Sequence, residues 1–197
     1  MEIERRTFTG EIRAEKRGED TQIVGYAAVF GHESEDLGGF REVIEPGAFD
    51  EALGRDDVRA LFNHDANLIL GRTPKTLRLR VDENGLHYDI DPPDTQAARD
   101  LMVSLGRGDV DQSSFGFSVV SETWEQPTDE RNYPLRRINK VRLFDVSPVT
   151  FPAYTTTSAE ARAMASELSR QVTALDNKPV GRLDILKRRL RLKDAEV

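Results

Sequence analysis

The chain has 197 residues, 38% of them hydrophobic and 32% charged, which suffices for one compact domain plus an appended segment and excludes wholesale disorder. It contains no cysteine, so disulfides, thiolate metal sites and cysteine nucleophiles are excluded. Twenty-eight basic against thirty-five acidic residues leave a net charge of −7, which opposes nonspecific attraction to a phosphate backbone, and nucleic acid is not an expected partner.

The first residues, Met1-Glu2-Ile3-Glu4-Arg5-Arg6, lack the apolar stretch of a signal peptide, and no apolar run approaches the ~20 residues of a membrane span. A soluble, non-exported protein of a reducing cytoplasm is expected. From Arg6 to about Pro152 the sequence reads mostly as strands, with Thr21 to Phe30, Thr76 to Val81, Leu86 to Ile90, Ser114 to Val120 and Arg137 to Val146 as the clearest. Between Leu77 and Ile90 apolar and polar residues alternate around Asn84-Gly85, which predicts a tight hairpin with positive φ at its turn. In its second strand Leu86, Tyr88 and Ile90 would face inward, and His87 and Asp89 outward.

Two helices interrupt the strands. Pro46 to Leu53 is short, whereas Asp94-Thr95 caps a segment to about Leu105 in which Ala98, Leu101, Met102 and Leu105 share a face, ended by Gly106 and Gly108. Evenly spaced strands with few helices predict a mainly β, α+β fold with a closed or nearly closed barrel rather than a doubly wound sheet. Composition shifts after Tyr154: residues 155–158 read as a linker between a domain at 1–154 and a helical tail at 159–197. Within the tail, Met164, Leu168, Val172 and Leu175 recur at helical spacing, and Gly181 to Lys193 is basic and amphipathic. That tail reads as a helix docked on the domain, a partner-binding arm or a membrane-surface helix.

Three histidines are present, and each is open to a plain structural reading. His87 falls on the outward side of its strand, and His32 in the loop Gly31 to Gly39. His64 ends the run Val58 to Phe62, where a fixed backbone with solvent access suits proton transfer. No two of them have metal-ligand spacing, and neither metal nor cofactor is expected. Ser114, in Ser113-Ser114-Phe115-Gly116-Phe117, stands at a loop-to-strand junction of the kind a nucleophile needs, although the segment lacks the Gly-x-Ser-x-Gly elbow. Asp145 lies inside an apolar strand within the segment Arg142 to Tyr154, where an acid costs free energy unless it is paired.

Five segments occur together in one order: Gly25 to Phe30, Glu45-Pro46-Gly47-Ala48-Phe49, Leu61-Phe62-Asn63-His64-Asp65, Ser114-Phe115-Gly116-Phe117 and Leu143 to Ala153. Over about residues 6–158 the sequence resembles the tailed-phage prohead protease family, which is related to the herpesvirus assemblins. The resemblance implies an assemblin-like barrel and a serine endopeptidase. It also implies cleavage of scaffold or capsid-protein extensions and a place in assembling proheads in the host cytoplasm; self-association as a dimer is expected as a physical means of keeping such an enzyme quiet until it is enclosed with its substrate. It puts the base on His64, the nucleophile on Ser114 with Ser113 as the near alternative, and the third position on Asp145, where the herpesvirus enzymes use a second histidine. Asp65 is a poor substitute, because neighbours on a strand point to opposite faces. No oxyanion donors are assigned. The rival reading is a noncatalytic capsid-assembly module that binds shell proteins through its tail and is indifferent to Ser114.

Overall fold

The structure, a computed structural model, describes residues 3–9, 12–18, 20–151 and 159–176. Its strands are β1 (Glu4–Thr9), β2 (Ile12–Arg17), β3 (Asp20–Val29), β4 (Arg41–Ile44), β5 (Arg59–Phe62), β6 (Asp65–Arg72), β7 (Leu77–Val81), β8 (Gly85–Ile90), β9 (Gln112–Glu125) and β10 (Leu135–Val149). The helices are α1 (Asp50–Arg55), α2 (Gln96–Arg107) and α3 (Ala159–Asp176).

These strands form two sheets. One runs β1-β9-β10-β5-β6, with β4 parallel to the start of β10, and the other runs β2-β3-β8-β7. The mainly β, α+β class therefore holds, but the closed or nearly closed barrel is corrected, since neither sheet closes on itself among the described residues. Alternation in a strand reports which face is buried, not which neighbour each edge takes, so it cannot separate a barrel from two packed sheets. Ile23, Tyr88 and Ile90 of the smaller sheet share one core with Phe115, Phe117, Leu143 and Val146 of the larger. Phe49 meets Phe115 edge-on at 5.6 Å between ring centroids.

The hairpin β7–β8 forms as expected, with Val81 paired to Leu86. Its turn does not use positive φ at Asn84 or Gly85. Instead the Asp82 carboxylate accepts from the backbone N–H groups of Asn84 at 2.9 Å and Gly85 at 3.2 Å. Gly85 is needed for close approach, because a Cβ there would lie 2.0 Å from the Ala28 carbonyl oxygen. His87 and Asp89 are also corrected, being 8% and 7% exposed. β8 is flanked by β3 and β7, and long neighbours close over its polar side: the Tyr26 ring stands edge-on to His87 at 5.0 Å, and Arg17 reaches Asp89 at 3.1 Å. Burial pushes the His87 pKa below its ordinary value.

α1 starts at Asp50 rather than Pro46, because Gly47 adopts φ 90° and residues 46–49 form a turn. α2 follows expectation more closely. Thr95 is its N-cap, accepting from Ala98 N–H at 3.3 Å, and Gly108 ends it at φ 77°. In α3 the packed residues are Ala161, Ala165 and Leu168; the first two join Leu37 and Phe40, with Trp124 against them. Met164, expected on that face, is 47% exposed. The side chains at 172–176, the linker at 155–158 and the basic segment at 181–193 lie outside the described residues.

Candidate active site

The face of β9 that carries Ser114 is set by strand alternation: Phe115 and Phe117 enter the core, so Ser114 and Gly116 take the other side. The partner strand β10 needs an irregularity to match it. Leu143 pairs with Phe117 and Asp145 with Gly116, leaving Phe144 as an extra residue. Such a bulge switches parity, so Leu143 and Val146 both enter the core while Asp145 and Ser147 emerge beside Gly116 and Ser114.

His64 arrives from the β5–β6 hairpin. Phe62 pairs with Asp65, and between them Asn63 and His64 take φ 55° and 57°, a two-residue turn with both residues left-handed. This replaces the strand-end placement expected for His64. Asparagine tolerates the conformation, whereas histidine pays about 1 kcal/mol or more for it. The turn is pinned to the end of β10: Asn63 N–H donates to the Pro148 carbonyl at 3.0 Å and Asn63 Oδ1 accepts from Thr150 N–H at 2.9 Å. Asp65 takes no part, its carboxylate accepting from Asn67 N–H at 2.8 Å.

The imidazole consequently bridges two strands. His64 Nδ1 lies 2.5 Å from Asp145 Oδ2, and Nε2 lies 2.7 Å from Ser114 Oγ. An ionised carboxylate only accepts, so Nδ1 carries the proton and Nε2 is left to accept from the serine. Ser147 Oγ–H donates to the same Asp145 oxygen at 2.7 Å. Gly116 supplies the space, since a Cβ there would fall 2.3 Å from Asp145 Oδ1. Ser114 has a second acceptor in reach, the Arg6 carbonyl of β1 at 2.9 Å. Its side chain is fully covered in this conformation.

The structure thus brings His64, Ser114 and Asp145 together in one hydrogen-bonded chain. It separates Ser113 from them: Ser113 Oγ meets Tyr88 OH at 2.6 Å on the core side, where burial raises the phenol's pKa. His32 and His87 stand outside the chain, and His87 lies 3.6 Å from Asp89. Among the described residues no group of three or more histidine, aspartate and glutamate side chains is arranged to hold a metal ion, and no helix is long and apolar enough to cross a membrane. Sequence reasoning missed Ser147, Asn63, Gly116 and the Arg6 carbonyl as parts of the site. Ser147 had a readable signal, its place two residues beyond Asp145 on one strand.

Comparison with known families matches residues 9–171 to the caudovirus prohead serine proteases. The chain belongs to that family. No curated protein and no solved structure matches it. As a prohead serine protease it has a peptidase role in phage maturation. The matched span of the prohead protease includes His64, Ser114, Gly116, Asp145 and Ser147, while Arg6 lies before it.

Proposed function

We propose that the protein is a serine endopeptidase with Ser114 as nucleophile, His64 as general base and Asp145 as the acid that orients the imidazole. The observation that carries this reading is the unbroken chain from Ser114 Oγ through both ring nitrogens of His64 to the Asp145 carboxylate. A lone buried serine or aspartate would have ordinary structural explanations, but the three joined in this order have the geometry of proton abstraction. His64 Nε2 takes the Ser114 proton as Oγ bonds to a peptide carbonyl carbon. It then gives that proton to the leaving amine as the C–N bond breaks, and the acyl-serine is cleared by water that His64 deprotonates. Asp145 holds the Nδ1–H tautomer and stabilises the imidazolium.

The Ser114 hydroxyl has one proton and two acceptors, His64 Nε2 and the Arg6 carbonyl. Directed at Arg6 the serine is idle, and rotation about Cβ–Oγ hands the proton to His64. A covered nucleophile with an alternative acceptor suits an enzyme that stays quiet until it is enclosed with its substrate, and self-association at high local concentration supplies one trigger. The substrates in this reading are scaffold or capsid-protein extensions within assembling proheads in the host cytoplasm. Kinship with the herpesvirus assemblins is part of the same reading and rests only on the resemblance to the prohead protease family.

The test is coexpression of the protease with the capsid protein and scaffold of its phage. Capsid-protein fragments should appear with the native chain and be absent with Ser114→Ala, while Ser113→Ala still cleaves. Fragments persisting in the Ser114 variant would favour the noncatalytic assembly module.

A further inference from the structure

We propose that Ser147 is a positioning residue that holds the Asp145 carboxylate toward His64, making the constellation a chain of four side chains. The inference rests on the peptidase reading of Ser114, His64 and Asp145. Ser147 is fully buried and follows Asp145 by two residues, so the Phe144 bulge that turns Asp145 out of the core turns Ser147 out with it. Its cross-strand partner is Ser114 itself. At 2.7 Å its hydroxyl donates to Oδ2, the oxygen that also receives His64 Nδ1–H at 2.5 Å.

The two donors have different consequences. The His64 bond transmits the carboxylate's charge to the imidazole, whereas the Ser147 bond spreads part of that charge and fixes the side-chain rotamer. In a site where Asp145 is 7% exposed, water is poorly placed to replace a missing donor. Removing the hydroxyl therefore has a signed effect. The carboxylate is left with one neutral donor fewer, holds the imidazolium proton more tightly and is freer to rotate away from the ring. A serine whose only task was to satisfy the fold would alter stability and leave the proton on His64 unaffected.

Ser147→Ala tests this with two readouts. The first is the rate at which a fluorophosphonate labels Ser114, followed against pH. The variant should label roughly tenfold more slowly, on the scale of one hydrogen bond to a charged group, and the acid limb of its profile should move to higher pH. Ser147→Cys, a weaker donor of similar size, should fall between the two. The second readout is the downfield proton resonance of His64 Nδ1–H in the full chain without any probe, which should shift in the alanine variant. An unchanged rate and limb overturn the proposal, as does a slower rate with the limb and resonance both in their native positions. Failure of the native chain to label at all, even at protein concentrations that drive self-association, would instead count against the peptidase reading, and the resonance would still decide whether Ser147 acts on the Asp145–His64 pair.

Discussion

Two buried polar clusters flank β9 on alternate faces, and they are built on opposite terms. On the face with Phe117, Arg6 grips Glu42 with two nitrogens at 2.9 Å and reaches Glu4 at 2.6 Å, while Arg136 bonds Glu4 and Glu122 at 2.9 and 2.6 Å. The Arg6 guanidinium also lies 5.4 Å from the Phe117 ring centroid. On the other face Ser114, His64, Asp145 and Ser147 share a single formal charge with the histidine neutral. The first cluster shares two arginines among three carboxylates, so that each charge has an opposite one in contact, and it fixes β1, β4, β9 and β10 to one another, a structural role. The second leaves a proton with two alternative acceptors, which is the condition for chemistry. Burial of polar groups marks both, so burial alone does not mark a site; an unspent choice of proton position does.

The largest effect that would sharpen this contrast is expected from His64→Ala, which should slow peptide hydrolysis by about four orders of magnitude or more while the melting temperature stays near native. Breaking the other cluster should do the reverse. Glu42→Ala leaves Arg6 and Arg136 short of a buried partner and should cost about 3–5 kcal/mol in chemical denaturation, with at most a few-fold change in fluorophosphonate labelling of the folded fraction. A stability loss in the first variant and a catalytic loss in the second would dissolve the distinction. Gly116→Ala should fall next. Its methyl group needs the position of the Asp145 carboxylate, and a displaced carboxylate should slow hydrolysis by roughly 10²–10³-fold.

Smaller still is the response to acid. Burial by itself would raise the Glu4 pKa, but the hydrogen bond from Arg136 and the charges of Arg6 and Arg136 outweigh it and leave the pKa below its ordinary 4.5. A carboxylate with a depressed folded-state pKa contributes stability that is complete above pH 4.5 and is lost as the pH falls below it. Glu4→Gln should therefore flatten the fall in melting temperature on the acid side of pH 4.5, and a fall as steep as the native one would remove Glu4 from the acid response.

The same contrast explains what was legible in the sequence. The β7–β8 hairpin, the Thr95 cap of α2 and the inward set Leu86, Tyr88 and Ile90 follow from local pattern, and the structure has all three. The charge cluster does not, because nothing local to Glu4 and Arg6 names their partners; β4 and β10 bring Glu42 and Arg136 to them from far along the chain. His87 was misread for a related reason: period-two alternation gives the face, but only the neighbouring strands decide whether that face meets water. At the site, the residue types were visible and their geometry was not. The Phe144 bulge that re-aims Asp145 and the left-handed turn at Asn63-His64 depend on cross-strand register, which no window of sequence contains.

The identity of the nucleophile decides the mechanism most directly. Treating the full chain with a fluorophosphonate and locating the adduct by peptide mass spectrometry reads it out in one measurement. The adduct is predicted on Ser114 alone, with none on Ser113 or Ser147 and none at any serine in His64→Ala under the same conditions. An adduct on Ser113, or one on Ser114 that forms equally fast without His64, would contradict the account.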